Sequence, residues 1–105
     1  MEPLTRLTPA TAEVLDALLN APEPVWGLRI VQQTGRPAGS VYPILSRLEA
    51  GGWVTSVWED DPGRPGPRRR LYELVADAVP SARAAVARIH ETRRTASART
   101  AGANS

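Results

Sequence analysis

Apolar residues recur every three or four positions in three stretches of the first half of the chain, and this spacing predicts amphipathic α-helices. Proline and glycine mark the ends of these stretches. Pro9 fits the first helical position after the N-cap Thr8, while Thr34-Gly35 and Gly51-Gly52 stop the second and third stretches. The pattern therefore predicts helices over residues 8–20, 27–33 and 39–50.

The pattern changes after the third helix. Residues 53–59 are rich in β-forming side chains without a helical repeat and predict a strand. Residues 60–67 combine acidic residues with proline and glycine and predict the tip of a hairpin. The returning strand is then expected over 68–74.

A last helix is predicted over residues 77–95, with Asp77 as its N-cap. Val79, Ala82, Val86 and Ile89 follow the 3-4-3 spacing of a helix that packs lengthwise on another. Residues 96–105 are small and polar, which predicts a disordered tail.

The order of these elements predicts a mainly α fold with a small β-hairpin. Two helices joined by a short turn and followed by a hairpin indicate a winged helix-turn-helix domain over residues 1–76. The last helix is then expected to be a C-terminal dimerisation helix. In this geometry the third helix enters the major groove of double-stranded DNA, and the hairpin reaches phosphates or the minor groove.

Charge is distributed unevenly along the chain. All 13 basic residues are arginine and the net charge is +2. Up to Asp61 there are four arginines against eight acidic residues, and beyond it nine arginines against three. Four of those nine fall within residues 64–70. Such a local cluster can dominate binding to a polyanion even when the net charge is small.

Composition excludes several other classes. The chain has no cysteine and one histidine, which excludes disulfide scaffolds, thiolate metal sites and paired-histidine chemistry. No apolar run approaches the ~18 residues of a membrane span, and the N-terminus lacks the features of a signal peptide. Glu13, Asp16 and Glu49 fit the polar faces of helices. We therefore expect a cytoplasmic protein with no enzymatic activity, no cofactor and no membrane association.

Four segments of the sequence resemble the PadR family of bacterial transcriptional regulators, in its branch with a short C-terminal part. They are Gly27-Leu28-Arg29-Ile30, residues 37–54 (PAGSVYPILSRLEAGGWV), Gly63-Arg64-Pro65 and Arg70-Leu71-Tyr72-Glu73-Leu74. The resemblance covers about residues 8–75. It implies a winged-helix domain, a dimerisation helix, and a homodimer that represses transcription by binding a palindromic operator.

The chain departs from the family pattern before its last helix. Relatives carry a Leu-Thr-x-x-Gly turn where this sequence has Leu74-Val75-Ala76-Asp77-Ala78. The last helix is therefore expected to leave at a different angle. It also carries no aromatic residue against which a flat ligand could stack, so the sequence identifies no small-molecule effector.

Candidate DNA contacts lie on the third helix and the hairpin. Hydroxyl groups at the start of a helix can bind phosphate oxygens together with free backbone N–H groups, and arginines can bind phosphates or guanine edges. Each candidate also has an alternative role that does not involve DNA. Ser40 could cap the helix and Tyr42 could pack at its edge, while the arginines could form ion pairs or lie on a solvated face. The predicted contacts are Arg36, Gly39, Ser40, Tyr42, Arg47, Arg64, Arg68 and Arg70.

The dimer interface is expected to combine the last helix with the N-terminal segment. Trp26, Trp53 and Trp58 are expected to pack in the core and the wing, and His90 to lie on the surface. The predicted interface residues are Leu4, Leu7, Ala82, Ala85, Val86 and Ile89.

Two other functions fit the same residues. The basic wing of a winged-helix protein-interaction module could bind an acidic protein partner. Non-specific binding to chromosomal DNA is a third reading, which the acidic N-terminal half disfavours.

Overall fold

A computed structural model of the chain describes residues 1–4, 7–60, 63 and 65–103. Short loops connect its elements. In chain order they are α1 (Pro9–Asn20), β1 (Val25–Trp26), α2 (Gly27–Thr34), α3 (Ala38–Ala50), β2 (Val54–Trp58), β3 (Arg70–Leu74), a 3-10 turn (Ala76–Ala78) and α4 (Val79–Ala103). The mainly α class with a small hairpin is confirmed.

The first three helices begin and end within one residue of their predicted limits. The Thr8 hydroxyl accepts a hydrogen bond from the Thr11 N–H at 3.2 Å, which caps α1, and Pro9 occupies its first turn. Gly35 ends α2 with a φ of 71°, a left-handed conformation that glycine adopts without strain.

The start of α3 carries no side-chain cap. The Pro37 carbonyl accepts hydrogen bonds from the N–H groups of Ser40 at 2.9 Å and Val41 at 3.1 Å. The Ser40 hydroxyl makes no capping hydrogen bond, so the alternative interpretation of Ser40 as a helix cap is wrong. Pro43 lies inside the helix and lacks the N–H that would bind the Gly39 carbonyl one turn earlier.

The sheet has three antiparallel strands in the order β1-β3-β2. The predicted hairpin is confirmed as β2 and β3, although β3 starts at Arg70 rather than at residue 68. The third strand, β1, is absent from the sequence prediction. Its two residues are too few to show a period, and only their pairing with β3, Val25 opposite Tyr72, makes them a strand.

One hydrophobic core joins α1, α2, α3, the sheet and the first half of α4. The largest wholly buried side chains come from the predicted apolar faces and from β2: Val14, Leu15, Ile30, Val41, Leu45, Leu48 and Val54. α4 lies along α1 and buries Ala82, Ala85 and Val86 in the same core. The lengthwise packing predicted for α4 is therefore made against α1 of the same chain.

The start of α4 differs from its prediction. A 3-10 turn precedes the helix, and Asp77 lies inside that turn, exposed, rather than at an N-cap. The chain turns here because the Val75 carbonyl accepts from the Ala78 N–H at 2.9 Å. This is the point at which the sequence departs from the family pattern.

The far end of α4 also differs. The helix continues to Ala103, whereas a disordered tail is predicted from residue 96. Residues 96–103 contain four alanines and no proline, a composition that favours continuation of the helix.

The division of the chain into domains stays a prediction.

The three tryptophans have three different environments. Trp53 is 5% exposed, and its indole N–H donates to the Glu2 carbonyl at 2.5 Å, which holds the N-terminal segment against the domain. Trp26 is half-buried. Trp58 is 57% exposed, so its prediction as a packed residue is wrong. His90 is exposed, as predicted.

Candidate nucleic-acid interface

α3 has one buried and one exposed face. Val41, Ile44, Leu45 and Leu48 point into the core. The exposed residues lie on the other side of the helix: Gly39, Ser40, Tyr42, Pro43, Ser46 and Arg47. Four of the predicted DNA contacts, Gly39, Ser40, Tyr42 and Arg47, therefore share one face of one helix.

Tyr42 is held at the edge of this face by contact with the start of α2. A Cβ on Gly27 would lie 2.8 Å from Tyr42 Cε1, a distance too short for any other residue type without movement of the ring. The Tyr42 side chain is 38% exposed, so the ring packs on Gly27 while part of it faces solvent. The alternative of edge packing is thus correct, and it leaves the exposed part of the residue available for DNA.

Arg36 is tied to the body of the domain. Its Nε donates to Glu13 Oε2 of α1, and Arg93 Nη2 of α4 lies 3.5 Å from Glu13 Oε1. The hydrogen bond from Arg36 lowers the pKa of Glu13 below its ordinary value, and the carboxylate in turn raises the pKa of Arg36. Arg36 thus joins the turn before α3 to α1, and its positive charge is largely compensated.

Arg47 lies in the last turn of α3 and is exposed. It borders a cleft of about 260 Å³ between α3 and the N-terminal segment, which Leu4 and Trp53 also line. Arg47 is the one predicted arginine contact on that helix.

The wing arginines differ from one another. Arg68 is exposed before β3 begins. Arg70 is half-buried: its Nη2 lies 3.8 Å from Glu49 Oε2 of α3, and its guanidinium carbon is 5.2 Å from the centre of the Trp58 ring. Arg68 and Arg70, the predicted DNA-facing pair, thus differ in exposure and surroundings, and their contact with DNA stays a prediction.

Arg69 points to the opposite side of the strand, as strand alternation predicts. Its guanidinium carbon stands 3.9 Å from the centre of the Trp26 ring. Arg64, the predicted wing-tip contact, lies outside the described residues. Its neighbour Gly63 has a φ of 60°, a conformation that suits a tight turn at the tip.

Tyr72 and Glu49 form the junction between the wing and α3. Burial raises the pKa of Tyr72, which lies beneath Arg70 and close to Glu49 and Tyr42. Glu49 Oε2 accepts a hydrogen bond from the Ser56 hydroxyl at 2.5 Å. No local sequence signal marks this junction, because its members lie on three separate elements, α3, β2 and β3.

The predicted dimer residues fall into two groups. Ala82, Ala85 and Val86 are buried against α1 within the chain, which explains their apolar character without a partner. Leu4, Leu7 and Ile89 are partly exposed. Leu4 and Leu7 line a groove of about 520 Å³ between the N-terminal segment and α4.

Among the described residues, no helix is both long and apolar enough to cross a membrane. The same residues contain no group of three or more side chains suited to hold a metal ion. The described part of the chain instead presents a helix with one free face beside an arginine-bearing hairpin.

A free helix face beside a hairpin is the arrangement of winged-helix DNA-binding proteins. The family comparison agrees with this class. The model of the transcriptional regulator PadR-like family matches residues 14–77, and the chain belongs to that family. The protein is thus a DNA-binding transcriptional regulator, and the resemblance seen in the sequence is confirmed.

Solved structures share the fold. The circadian clock associated protein Pex from Anabaena is 22% identical with a TM-score of 0.65, over 82% of this chain and 80% of that one. A PadR-like transcription factor from Bacteroides fragilis is 24% identical with a TM-score of 0.58, over 81% and 85%.

The PcaV transcriptional regulator from Streptomyces coelicolor, solved with its natural ligand, is 23% identical with a TM-score of 0.70. The match covers 84% of this chain but only 59% of PcaV. No curated protein sequence matches this chain.

Proposed function

We propose that the protein is a homodimeric repressor that binds a palindromic operator. In this proposal α3 enters the major groove, and the wing contacts the flanking backbone or the minor groove. The observation that carries it is the exposed face of α3, on which Gly39, Ser40, Tyr42 and Arg47 lie together opposite the buried residues of the same helix.

The contacts divide by chemistry. Gly39 and Ser40 at the start of α3, with the Tyr42 hydroxyl, suit phosphate oxygens. Arg47 suits a base edge or a phosphate further along the groove. On the wing, the exposed Arg68 is the phosphate contact, and Arg64 at the tip remains a candidate from sequence alone. Arg36 and Arg70 serve mainly to position the elements that carry these contacts.

Sequence-specific DNA binding is tested by fluorescence anisotropy. The duplex comes from immediately upstream of the protein's own gene, and a scrambled duplex of the same length is the control. An operator affinity at least ~10³-fold tighter than that for the scramble supports the proposal. If the protein does not bind the upstream duplex more tightly than the scramble, the operator is sought instead by selection from a randomised duplex library.

Equal and weak binding to all duplexes, including the products of that selection, would contradict the proposal. Weak, non-specific DNA binding of this kind is what the alternative predicts, in which the basic wing binds an acidic protein partner. Arg68→Ala provides the internal check. It should weaken binding to both duplexes and reduce the slope of log affinity against log salt by about 1.

We further propose that the second copy covers the groove between the N-terminal segment and α4. Leu4 and Leu7 supply its apolar wall, Ala84 and Arg88 lie on its α4 side, and the buried Ala85 forms part of its floor. Partly exposed leucines beside the small Ser81 and Ala84 side chains of α4 leave room for a partner's helix.

Sedimentation velocity at micromolar concentration tests this interface. The wild-type protein should be a dimer, and Ala84→Arg should shift it to monomer by placing a long cation in the groove. Ala87→Arg is the matched control, because Ala87 is exposed on the part of α4 that lies next to His90 and Arg94. A wild-type monomer, or a dimer unaffected by Ala84→Arg, would contradict this interface.

A further inference from the structure

We propose that Trp58 contacts the deoxyribose–phosphate backbone of bound DNA, and that Arg70 positions its indole ring for that contact. The inference rests on the proposed function. Trp58 is 57% exposed at the end of β2, where the wing leaves the sheet. A large aromatic side chain held in solvent beside the candidate DNA-binding helix needs an explanation that packing within the chain does not give.

The sheet register places Trp58 on the α3 side of the wing. Trp58 pairs with Arg70 and Ser56 pairs with Tyr72. Since alternate residues of a strand share a face, Trp58 shares its face with Ser56, whose hydroxyl reaches Glu49 of α3 at 2.5 Å. The indole therefore lies on the side of the sheet that faces α3.

The adjacent residue, Val57, has the opposite orientation. It is 60% exposed and pairs with Leu71 on the other face of the sheet. Val57 and Trp58 are thus neighbours of nearly equal exposure, but only Trp58 is directed to the side on which α3 lies. This difference makes Val57 a control for any effect of Trp58.

Arg70 is bound on both sides. Its Nη2 lies 3.8 Å from the Glu49 carboxylate, and its guanidinium carbon is 5.2 Å from the Trp58 ring centre, within the range of a cation–π contact. At 3.8 Å, the partly exposed Glu49 carboxylate offsets part of the charge that Arg70 would otherwise offer to a phosphate. Arg70 is therefore better suited to fix the indole than to bind DNA itself.

The indole ring is better suited to contact the deoxyribose sugars of the backbone than its phosphates. The ring carries no formal charge and has a broad apolar face, which packs against deoxyribose between the phosphates that nearby arginines bind. An apolar contact of this kind strengthens binding without releasing counterions, so its contribution is independent of salt. A ring already held by Arg70 also loses little rotamer entropy on binding.

The test compares Trp58→Ala, Val57→Ala and Arg68→Ala on the duplex that the wild-type protein prefers. We expect Trp58→Ala to weaken binding about 10-fold with the salt slope unchanged. Val57→Ala should bind within about 2-fold of wild type, since it lies on the far face. Arg68→Ala should lower both the affinity and the slope. Circular dichroism melts verify that each variant folds.

Three results would overturn the inference. Trp58→Ala could bind as tightly as wild type, Val57→Ala could weaken binding equally, or Trp58→Ala could reduce the salt slope as Arg68→Ala does. Failure of the proposed function is a separate result, because the wild-type protein would then show no preferred duplex.

Tryptophan fluorescence gives a second readout that does not depend on affinity. Trp53 is buried and Trp26 lies under Arg69, so quenching by acrylamide reports mainly on Trp58. Saturating duplex should reduce quenching of the wild-type protein, and the reduction should be largely absent in Trp58→Phe. Unchanged wild-type quenching at saturation would refute the contact.

Discussion

Gly27 and Tyr42 show how a single missing side chain fixes the position of a candidate DNA contact. Gly27 begins α2, and its lack of a Cβ lets the Tyr42 ring lie against the backbone. Tyr42 comes from α3, so this contact joins the two helices of the helix-turn-helix. No periodicity in the sequence marks it, although the Gly-Leu-Arg-Ile segment is part of the family resemblance.

Gly27→Ala should therefore lower DNA affinity more than it lowers stability. The new methyl group would displace the Tyr42 ring, whose far end is free to move into solvent, so the free energy of unfolding should change by less than about 1 kcal/mol. Operator affinity should fall about 5-fold, the amount expected for one lost hydrogen bond to phosphate. Urea unfolding and anisotropy titrations measure the two effects.

Tyr42→Phe provides the comparison, since it removes the hydroxyl and keeps the ring. A similar loss of affinity in both variants identifies the hydroxyl position as the common cause. Gly27→Ala with unchanged affinity would show that Tyr42 does not contact DNA.

Glu13 links stability to pH through its two arginines. Its pKa is lowered below 4.5, chiefly by the hydrogen bond from Arg36. A carboxyl with a lowered pKa in the folded state stabilises the fold above its unfolded-state pKa, and this contribution disappears as pH falls through the folded-state value. The ion pair should therefore stabilise the domain at neutral pH and not in strong acid.

We expect Glu13→Gln to cost about 0.5 kcal/mol at pH 7, because partly exposed ion pairs are screened by solvent. The difference from wild type should shrink towards zero below about pH 4. Urea unfolding at pH 7, 5 and 3.5 measures it. A difference that stays constant over this range would mean that the loss comes from packing rather than from charge.

Helices and strands differ in how much of them could be predicted. α1, α2 and α3 were predictable because their signals are local: a threonine cap before a proline, a left-handed glycine and apolar residues at helical spacing. β1 was not, since its two residues owe their conformation to Tyr72 and Leu71, more than 40 residues further along the chain. The same reason hid the Glu49–Arg70 contact, on which the proposed positioning role of Arg70 rests.

The apolar face of α4 was predictable, but the element that covers it was not. Spacing alone identifies Ala82, Ala85 and Val86 as buried, and it does not distinguish a partner's helix from α1 of the same chain. The structure assigns these residues to α1. Of the six predicted interface residues, Leu4, Leu7 and Ile89 are the partly exposed ones that retain surface for a second copy.

Ala82→Leu tests the tight packing of α4 on α1. Ala82 has no exposed surface, so three added carbon atoms must displace α1 or α4. We expect a loss of about 2 kcal/mol in the free energy of unfolding, measured in urea. Ala87→Leu, at an exposed position of α4 outside the proposed dimer groove, should change it by less than about 0.5 kcal/mol. Equal effects would contradict the observed face of α4.

At the scale of the whole molecule, the acidic residues and the arginines are distributed unevenly along the chain. Eight of the eleven acidic residues lie at or before Asp61, and nine of the thirteen arginines lie beyond it. The charge pattern predicted a basic wing, and Arg68 fits it. It did not predict that Arg36, Arg69 and Arg70 would each be engaged by a carboxylate or an aromatic ring.

Removal of residues 96–105 should leave the domain intact. Every residue of α4 from His90 to Thr95 is exposed, so the core ends near Ile89. We expect the melting temperature of the truncated protein to stay within about 2 °C of wild type and the dimer to persist. Calorimetry and sedimentation velocity measure these. A monomeric truncated protein would show that the far part of α4 contributes to the dimer.

The attachment of the N-terminal segment has a practical consequence for producing the protein. The Glu2 N–H donates to the Gly51 carbonyl at 2.8 Å, the Trp53 indole holds the Glu2 carbonyl, and Met1 lies close to Gly52. An affinity tag fused directly to Met1 would therefore emerge from a crevice beside both α3 and the groove next to α4. A tag at the carboxyl end would leave from the far end of α4, and a C-terminal fusion is accordingly the better choice for binding assays.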